Sequence, residues 1–266
     1  MRVLKKHPFY RWIAMPRRWL VAARHSGNAA PLQWLLRSRE ETNFTYDLTE
    51  ANMVELAGTI AAVTGAPIAR VQELMAELQN DRALRETVRN RTLSSPYRTV
   101  SDPVARYGRR LGWYAVARLV RPRKIVETGI DKGLGSLVLC AALARNAAEG
   151  HPGRYYGIDI NPEAGWLLAP PYSEFGEIVT SDAVSALKGM GEIDLLLSDS
   201  DHSESYEASE YATARMSPQG MILGDNSHVS PALQRFAAAQ GLAFRFFREE
   251  PKGHWYPGGG IGFCFH

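Results

Sequence analysis

The sequence predicts an α/β fold in which helices cover both faces of a parallel sheet, with a terminal β-hairpin and an all-helical N-terminal region. Three observations support it. After residue 100, short apolar segments alternate with helical patterns, as in a chain of β–α units. The first apolar segment is followed by a glycine-rich loop and a helix. The last two segments, residues 242–247 and 260–265, alternate in polarity as hairpin strands do.

The chain has the length and composition of a globular protein. Of its 266 residues, 45% are hydrophobic and 22% are charged, with a net charge of +3. The sequence contains neither an apolar run of membrane-spanning length nor the apolar core of a signal peptide, so we expect a cytoplasmic location. Cys140 and Cys264 lie in apolar surroundings without metal-ligand spacing and are predicted to be reduced core residues.

The first 39 residues form a basic, aromatic segment. They contain nine Lys or Arg and no Asp or Glu, and their aromatic residues are Phe9, Tyr10, Trp12, Trp19 and Trp34. Such a segment suits contact with an anionic surface, such as membrane headgroups or a phosphorylated carrier. Nucleic acid is also anionic but is the disfavoured partner. The alternative is an arm that folds back on its own domain or on a second subunit of a homo-oligomer.

Helical periodicity dominates the next part of the chain. Thr49 begins a helix that Gly65 ends, a second helix follows it, and residues 81–91 form a third. Residues 92–103 contain two prolines and are the predicted linker. The predicted domains are a helical N-terminal region, residues 1–100, and an α/β domain, residues 101–266.

Each element of the α/β domain follows from its local pattern. Five apolar segments are typical of buried parallel strands. The first closes at Val126, and the others are residues 154–160, 177–180, 193–198 and 221–224. Helical spacing of apolar residues predicts helices over residues 103–120, 183–190 and about 206–216, with another after the glycine-rich loop.

The stretch of residues 124–136 contains the end of the first strand and the glycine-rich loop, which proposes a nucleotide-like ligand. Gly129, Gly133 and Gly135 permit a sharp turn and close approach of a ligand, while free N–H groups at the following helix favour an anionic group. Read as Thr128-Gly-x-x-x-Gly-Leu-Gly135, the loop is consistent with a short-chain dehydrogenase that binds a nicotinamide dinucleotide. That reading is disfavoured because the preceding carboxylate, Glu127, would repel a pyrophosphate.

Read as Glu127-x-Gly-x-x-x-Gly, the same loop resembles the first motif of class I S-adenosylmethionine-dependent methyltransferases. The resemblance implies a Rossmann-like sheet and places Glu127 near the positively charged methionine moiety of the cofactor. It also implies that Asp159 accepts the hydrogen bonds of the ribose diol and that Ser181 and Asp182 lie beside the adenine ring. Asp159 is equally typical of a turn, and Asp182 of a helix N-cap.

Polar side chains follow two strands that are predicted to be neighbours. Asp199 and His202 come after the fourth strand, and Asp225 and Asn226 come after the fifth. Because the carboxyl ends of parallel strands meet at one edge of a sheet, these residues are expected on the same rim. Carboxylate and amide oxygens suit a hard divalent cation such as Mg²⁺. The sequence therefore predicts Asp199, Asp225 and Asn226 as metal ligands.

This arrangement resembles the metal-dependent catechol O-methyltransferases, which place an Asp after the fourth strand and an Asp-Asn pair after the fifth. Their general base is a lysine three residues after the first Asp, and this chain has His202 there. A similar Asp and His pattern occurs in bacterial O-methyltransferases of sugars and glycosylated natural products. The resemblance covers about residues 103–266 and implies methyl transfer to a hydroxyl of a sugar, glycan or glycosylated metabolite. His202, neutral near pH 7, is the predicted general base; a helix-cap or supporting role is the alternative.

The loop between the hairpin strands is rich in aromatic residues. His254, Trp255 and Tyr256, together with His228 after the fifth strand, are candidate substrate contacts, because aromatic rings stack on sugar rings. A loop filled by its own aromatic side chains is an equal alternative.

Other function classes stay open at this point. Asp199-Ser-Asp201 imitates the Asp-x-Asp motif of metal-dependent glycosyltransferases. A methyltransferase-like scaffold without catalysis, which binds a partner through the basic segment, is the non-enzymatic alternative. The dehydrogenase is further disfavoured because no Tyr-x-x-x-Lys pair follows the fourth strand.

Overall fold

The protein is represented by a computed structural model that describes residues 10–25, 30–41 and 44–266. Contacts between residues divide the chain into two compact units. Unit 1 comprises Met1–Met53, Asp81–Gly108 and Glu249–Gly258; unit 2 comprises Val54–Asn80, Arg109–Arg248 and Gly259–His266. The domain boundary expected near residue 100 stays a prediction, because contacts alone do not test which part folds independently.

The helices confirm the predicted helical N-terminal region. Asp81 begins the third predicted helix as an N-cap, since its carboxylate accepts the N–H of Leu84 at 2.9 Å. None of the helices in the described ranges has the length and apolar character needed to cross a bilayer. In chain order the helices are α1 (Tyr10–Ile13), α2 (Met15–His25), α3 (Ala30–Arg37), α4 (Glu50–Thr64), α5 (Ile68–Asn80), α6 (Arg82–Ser94), α7 (Arg110–Val120), α8 (Leu134–Ala148), α9 (Ala183–Leu187), α10 (Glu204–Thr213) and α11 (Ala232–Gln240).

Within unit 1, part of the basic aromatic segment packs on its own neighbours. The Arg18 guanidinium is buried, donates to the Glu40 carbonyl oxygen at 3.1 Å and lies over the Trp34 ring. Trp12, by contrast, is 63% exposed. Phe9, which belongs to the same predicted segment, lies outside the described residues.

Unit 2 is built on a sheet whose strand order is β3-β2-β1-β4-β5-β7-β6. Strands β1 to β5 are parallel, and β7 is antiparallel to both of its neighbours. This arrangement confirms the predicted α/β sheet with a terminal hairpin. The strands are β1 (Lys124–Thr128), β2 (Arg154–Asp159), β3 (Gly176–Thr180), β4 (Glu192–Ser198), β5 (Arg215–Asp225), β6 (Ala243–Arg248) and β7 (Gly260–Phe265).

The central strands are buried because helices cover both faces of the sheet. The apolar side chains of β1 and β4 are almost fully inaccessible. One face packs against α9, α10 and α11, and the largely buried α8 also contacts β1 and β2. Cys140 in α8 and Cys264 in β7 are free and buried, as predicted.

Two predicted helices have different bounds in the structure. The helix expected over residues 103–120 begins only at Arg110, because Gly108 adopts a left-handed φ of +50° that a right-handed helix cannot contain. The helix expected to reach about residue 216 ends at Thr213. Arg215 and Met216 pair instead with the start of β4, because the ladder satisfies backbone groups that local helical periodicity does not account for.

Candidate functional site

The glycine-rich loop packs against the backbone that follows β4, the parallel neighbour of β1. Gly129 has a φ of +75°, and a Cβ on it would lie 2.0 Å from the Asp199 carbonyl oxygen. A Cβ on Gly135 would lie 2.1 Å from Oε1 of Glu127. Gly133 precedes α8 with a φ of +87°. Close approach of backbone and side chains, as well as the turn itself, therefore requires glycine in this loop.

The Glu127 carboxyl group is turned into the interior of unit 2. It is 2% exposed and accepts hydrogen bonds from the hydroxyls of Tyr155 and Ser136. Burial is the main reason that its pKa is raised to about 8, and the nearby Asp199 charge adds to that effect. Its predicted contact with the cofactor stays a prediction.

Asp159, at the end of β2, holds the glycine-rich loop in place. One carboxylate oxygen accepts the N–H groups of Ile130 and Asp131, each at 3.1 Å. The other accepts the N–H of Asn161 at 2.8 Å, which is the turn-forming contact expected as the alternative role. The loop and the strand end are therefore fixed relative to each other by this carboxylate.

Asp182 caps α9, as the alternative interpretation expects. Its carboxylate accepts the N–H of Ser185 at 2.8 Å and the Tyr206 hydroxyl at 2.6 Å. The Tyr206 hydrogen bond is the largest cause that lowers the pKa of Asp182. The Ser181 hydroxyl bonds locally to the Asp182 carbonyl oxygen. A place for adenine beside these residues stays a prediction.

The ends of β4 and β5 bring four predicted site residues together. Ligand atoms of Asp199, His202 and Asp225 lie within 4.8 Å of one another. The Asn226 amide nitrogen lies 3.4 Å from Nε2 of His202. The Asn226 side-chain oxygen is buried and has no hydrogen-bond partner among the described residues. Asn226 adopts a left-handed φ of +50°, which asparagine tolerates better than most residues.

The two carboxyl groups of this cluster have opposite pKa shifts. Burial and the neighbouring Asp199 charge raise the pKa of Asp225 well above its ordinary value, although Arg109 opposes this. Burial also disfavours the ionised form of Asp199, but hydrogen bonding to His202 and the Arg109 charge outweigh it and lower the pKa. The cluster thus holds two adjacent acids whose full ionisation requires positive charge nearby.

Arg109 supplies part of that charge and was missed by sequence reasoning. Its Nη2 donates to Asp225 Oδ2 at 2.7 Å, and its Nε contacts the other carboxylate oxygen. The available signal was the pair Arg109 and Arg110 at the start of α7. Cations are disfavoured at a helix N-terminus, so a pair there indicates an acidic partner elsewhere.

His202 lies between two acids. Its Nδ1 is 3.2 Å from Glu207 Oε1 and its Nε2 is 3.6 Å from Asp199 Oδ1. These contacts, with Asp199 the larger, raise the pKa of His202 to about 10. The buried Glu207 also accepts a hydrogen bond from Ser230. Sequence reasoning missed Glu207. The signal was its spacing: Glu207 lies four residues before the core residue Tyr211 and so on the same buried side of α10, where an acid requires a partner.

The candidate substrate residues belong to different units. His228 is exposed in unit 2 and lies 5.8 Å from the Phe246 ring. His254, Trp255 and Tyr256 belong to unit 1. Trp255 is 4% exposed, and His254 stacks on it at 5.5 Å. Trp255 also packs against the rings of Trp34 and Phe44, outside its own loop. Substrate contact by these four residues stays a prediction.

Residues 126–227 match the model of a family described as a methyltransferase domain. This segment is a methyltransferase domain. This methyltransferase domain contains the glycine-rich loop and both strand ends described above, and the match agrees with the predicted methyltransferase character of the α/β domain. Among curated protein sequences, none matches the chain.

Solved structures similar to the chain include three methyltransferases. The O-methyltransferase TomG from Streptomyces achromogenes, in complex with S-adenosylmethionine, is 19% identical over 70% of this chain and 90% of its own, with a TM-score of 0.47. The O-methyltransferase from Bacillus cereus, in complex with S-adenosylhomocysteine, is 16% identical over 70% and 92%, with a TM-score of 0.49. A putative O-methyltransferase from Klebsiella pneumoniae is 15% identical over 74% and 96%, with a TM-score of 0.49.

Proposed function

We propose that the methyltransferase domain transfers a methyl group from S-adenosylmethionine to a hydroxyl of a sugar, glycan or glycosylated metabolite. The reaction uses a divalent cation, with Mg²⁺ as the first candidate. The observation that carries this proposal is the cluster of Asp199, His202, Asp225 and Asn226 at the ends of two parallel strands in a methyltransferase domain. A scaffold without catalysis would not need a carboxylate pair and a histidine at this edge.

The residues of the cluster fit a hard cation. Asp199 and Asp225 offer two negative charges, which a divalent cation balances, and the buried side-chain oxygen of Asn226 offers a further neutral ligand atom. These three residues would hold the cation, and Arg109 would then share Asp225 with it. A cation bound there supplies Lewis-acid chemistry, which lowers the pKa of a substrate hydroxyl.

His202 is placed to accept the proton of that hydroxyl. Glu207 holds Nδ1, so Nε2 faces the carboxylates where the acceptor oxygen is expected. A general base must be neutral, whereas the two acids favour the protonated imidazole. Additional positive charge at Asp199 and Asp225 disfavours the imidazolium and so restores the base. A sugar hydroxyl is a weak acid, and its methylation benefits from both aids.

Cofactor binding is assigned to the glycine-rich loop. Gly129, Gly133 and Gly135 form its turn, and Asp159 holds it against β2. The methyl transfer itself is an in-line displacement, so the domain contributes mainly by positioning the acceptor oxygen and removing its proton. Contact of the basic segment with an anionic surface and a homo-oligomeric state are further proposals that this reaction does not require.

Two measurements test the proposed function. Calorimetric titration with S-adenosylhomocysteine, with and without Mg²⁺, should give binding in both conditions. Methyl transfer from labelled S-adenosylmethionine to a panel of sugars and glycosylated metabolites should then occur with Mg²⁺ and stop with EDTA. Turnover that persists in EDTA would remove the metal from the proposal. Sugar-nucleotide hydrolysis without methyl transfer would support the glycosyltransferase alternative instead.

A further inference from the structure

Unit 1 contains a cavity of about 230 Å³, and the cluster at the ends of β4 and β5 contributes no residue to its wall. Three cationic side chains, Arg37, Arg106 and Lys252, line it. Aromatic and imidazole rings from Trp34, Tyr46 and His254 also contribute to its wall. Sites for drug-sized ligands have volumes of about 300–1,000 Å³, and this cavity is smaller, so it suits a single ring with one substituent.

The charge around the cavity favours an anionic ligand. The wall also contains two acidic residues, Asp47 and Asp102, so its three cationic side chains leave a formal excess of one positive charge. The Asp102 carboxylate already accepts the Arg39 N–H at 2.7 Å and the Ser38 hydroxyl at 2.9 Å and lies 3.6 Å from Arg106. Neither the Arg37 guanidinium nor the Lys252 ammonium has a hydrogen-bond or ion-pair partner in the described part of the chain. Two cations at the wall are therefore available to a negative group.

The rings carry two buried N–H donors that lack acceptors. The backbone N–H of Tyr256 donates to Nδ1 of His254 at 3.0 Å, so the proton of the neutral imidazole is on Nε2. That Nε2, like the indole Nε1 of Trp34, is buried without a hydrogen-bond partner among the residues described. Burial keeps the imidazole neutral and lowers the pKa of His254 to about 4. Unsatisfied donors of this kind favour a ligand rich in acceptor oxygens.

The aromatic residues do not present an open stacking face. Trp34 is 8% exposed and Tyr46 is 3% exposed, and the His254 ring is tilted against Tyr46 at 5.5 Å. A planar nucleobase needs a free ring face, whereas a saccharide ring with its hydroxyls can use ring edges, N–H donors and cations. The wall therefore fits a hydroxyl-bearing ring better than a base.

We propose that this cavity binds a saccharide that carries a negative group, either a phosphate or a carboxylate. The hydroxyl oxygens accept from the donors of Trp34 and His254, and the negative group pairs with Arg37 and Lys252. This inference goes beyond the proposed function and does not depend on it, since the binding needs neither the methyl donor nor a cation.

Calorimetric titration of the full chain in EDTA, without S-adenosylmethionine, tests the proposal. Glucose 6-phosphate and glucuronate are the two anionic probes, and glucose, inorganic phosphate and adenosine monophosphate are the comparisons. At least one anionic saccharide should bind about tenfold more tightly than glucose and about tenfold more tightly than inorganic phosphate. A tenfold difference is expected because each comparison compound loses about one charge-assisted hydrogen bond. Whichever probe binds more tightly distinguishes phosphate from carboxylate.

Variants locate the binding in unit 1. Lys252→Ala and Arg37→Ala should each weaken binding of the better probe by roughly tenfold. The matched control is Arg89→Ala, which removes an exposed arginine of α6 outside the cavity and should leave the affinity unchanged. Wild-type affinity in both cavity variants would overturn the proposal. So would binding of inorganic phosphate or of adenosine monophosphate as tight as that of the saccharides, or no binding of either saccharide.

Discussion

Replacing Glu127 with glutamine should make the protein less sensitive to rising pH. The carboxyl group is buried against Tyr155 and Ser136, and burial raises its pKa to about 8 from an ordinary 4.5. The folded protein therefore keeps a proton on Glu127 at pH values where the unfolded chain has lost it. Glutamine keeps the shape and the hydrogen-bond acceptor of the neutral acid but does not titrate.

The sign and size of the effect follow from linkage. Because the pKa is raised on folding, the stabilising contribution is complete below pH 4.5 and is lost as pH rises through about 8. The difference between the two pKa values corresponds to about 5 kcal/mol of unfolding free energy in total, at about 1.36 kcal/mol per pH unit. Between pH 5.5 and 7.5 the wild-type protein should lose about 2–3 kcal/mol of unfolding free energy from this residue alone.

Urea denaturation of the cofactor-free protein at pH 5.5, 6.5 and 7.5 measures this contribution. The stability of Glu127→Gln relative to the wild-type protein should increase by about 2–3 kcal/mol across this range. The matched control is Glu86→Gln, an exposed position in α6, whose relative stability should not change with pH. A pH-independent difference for Glu127→Gln would refute the assignment of a neutral, buried carboxyl group.

Three further predictions concern the cluster at the ends of β4 and β5. Asp199→Ala should abolish metal-dependent turnover and weaken Mn²⁺ binding in a direct titration by more than about 100-fold, because replacing a residue that only supports a metal ligand already costs about 10–100-fold in affinity. The affinity for S-adenosylhomocysteine should stay within about threefold of the wild-type value. Unchanged turnover would remove Asp199 from the metal site. Arg109→Ala removes the positive charge that pairs with Asp225, so Mn²⁺ should bind roughly tenfold more tightly. Weaker Mn²⁺ binding in this variant would show that Arg109 supports the cation and does not compete with it. His202→Ala should lower the methyl transfer rate by about 10²–10⁴-fold near neutral pH and less at high pH, and a pH profile like that of the wild-type protein would contradict a general-base role.

The pairing of Arg109 with Asp225 has a consequence for cation affinity. The guanidinium contacts both carboxylate oxygens, so a cation must share or displace an existing partner. Affinity for Mg²⁺ is then set by the difference in free energy between Asp225 paired with Arg109 and Asp225 bound to the cation, and not by the ligand set alone. Free cation concentration should accordingly be varied in any activity measurement.

The amino-acid sequence was sufficient to predict the strands, the glycine-rich loop and the common edge where Asp199 and Asp225 meet. These features depend on local pattern and on one topological rule: buried parallel strands are near-continuous apolar runs, and their carboxyl ends share one edge of the sheet. The cap of α9 at Asp182 was likewise predictable, because a cap involves residues only three apart.

Only the tertiary structure decided which side chains surround those residues. Arg109 meets Asp225 across 116 positions of sequence, and Tyr155 meets Glu127 across 28. Such partners are chosen by which helix face packs on which strand, and no local periodicity contains that information. The same reason explains why β5 starts at Arg215. There, backbone hydrogen bonding to the first residues of β4 is favoured over the local helical pattern.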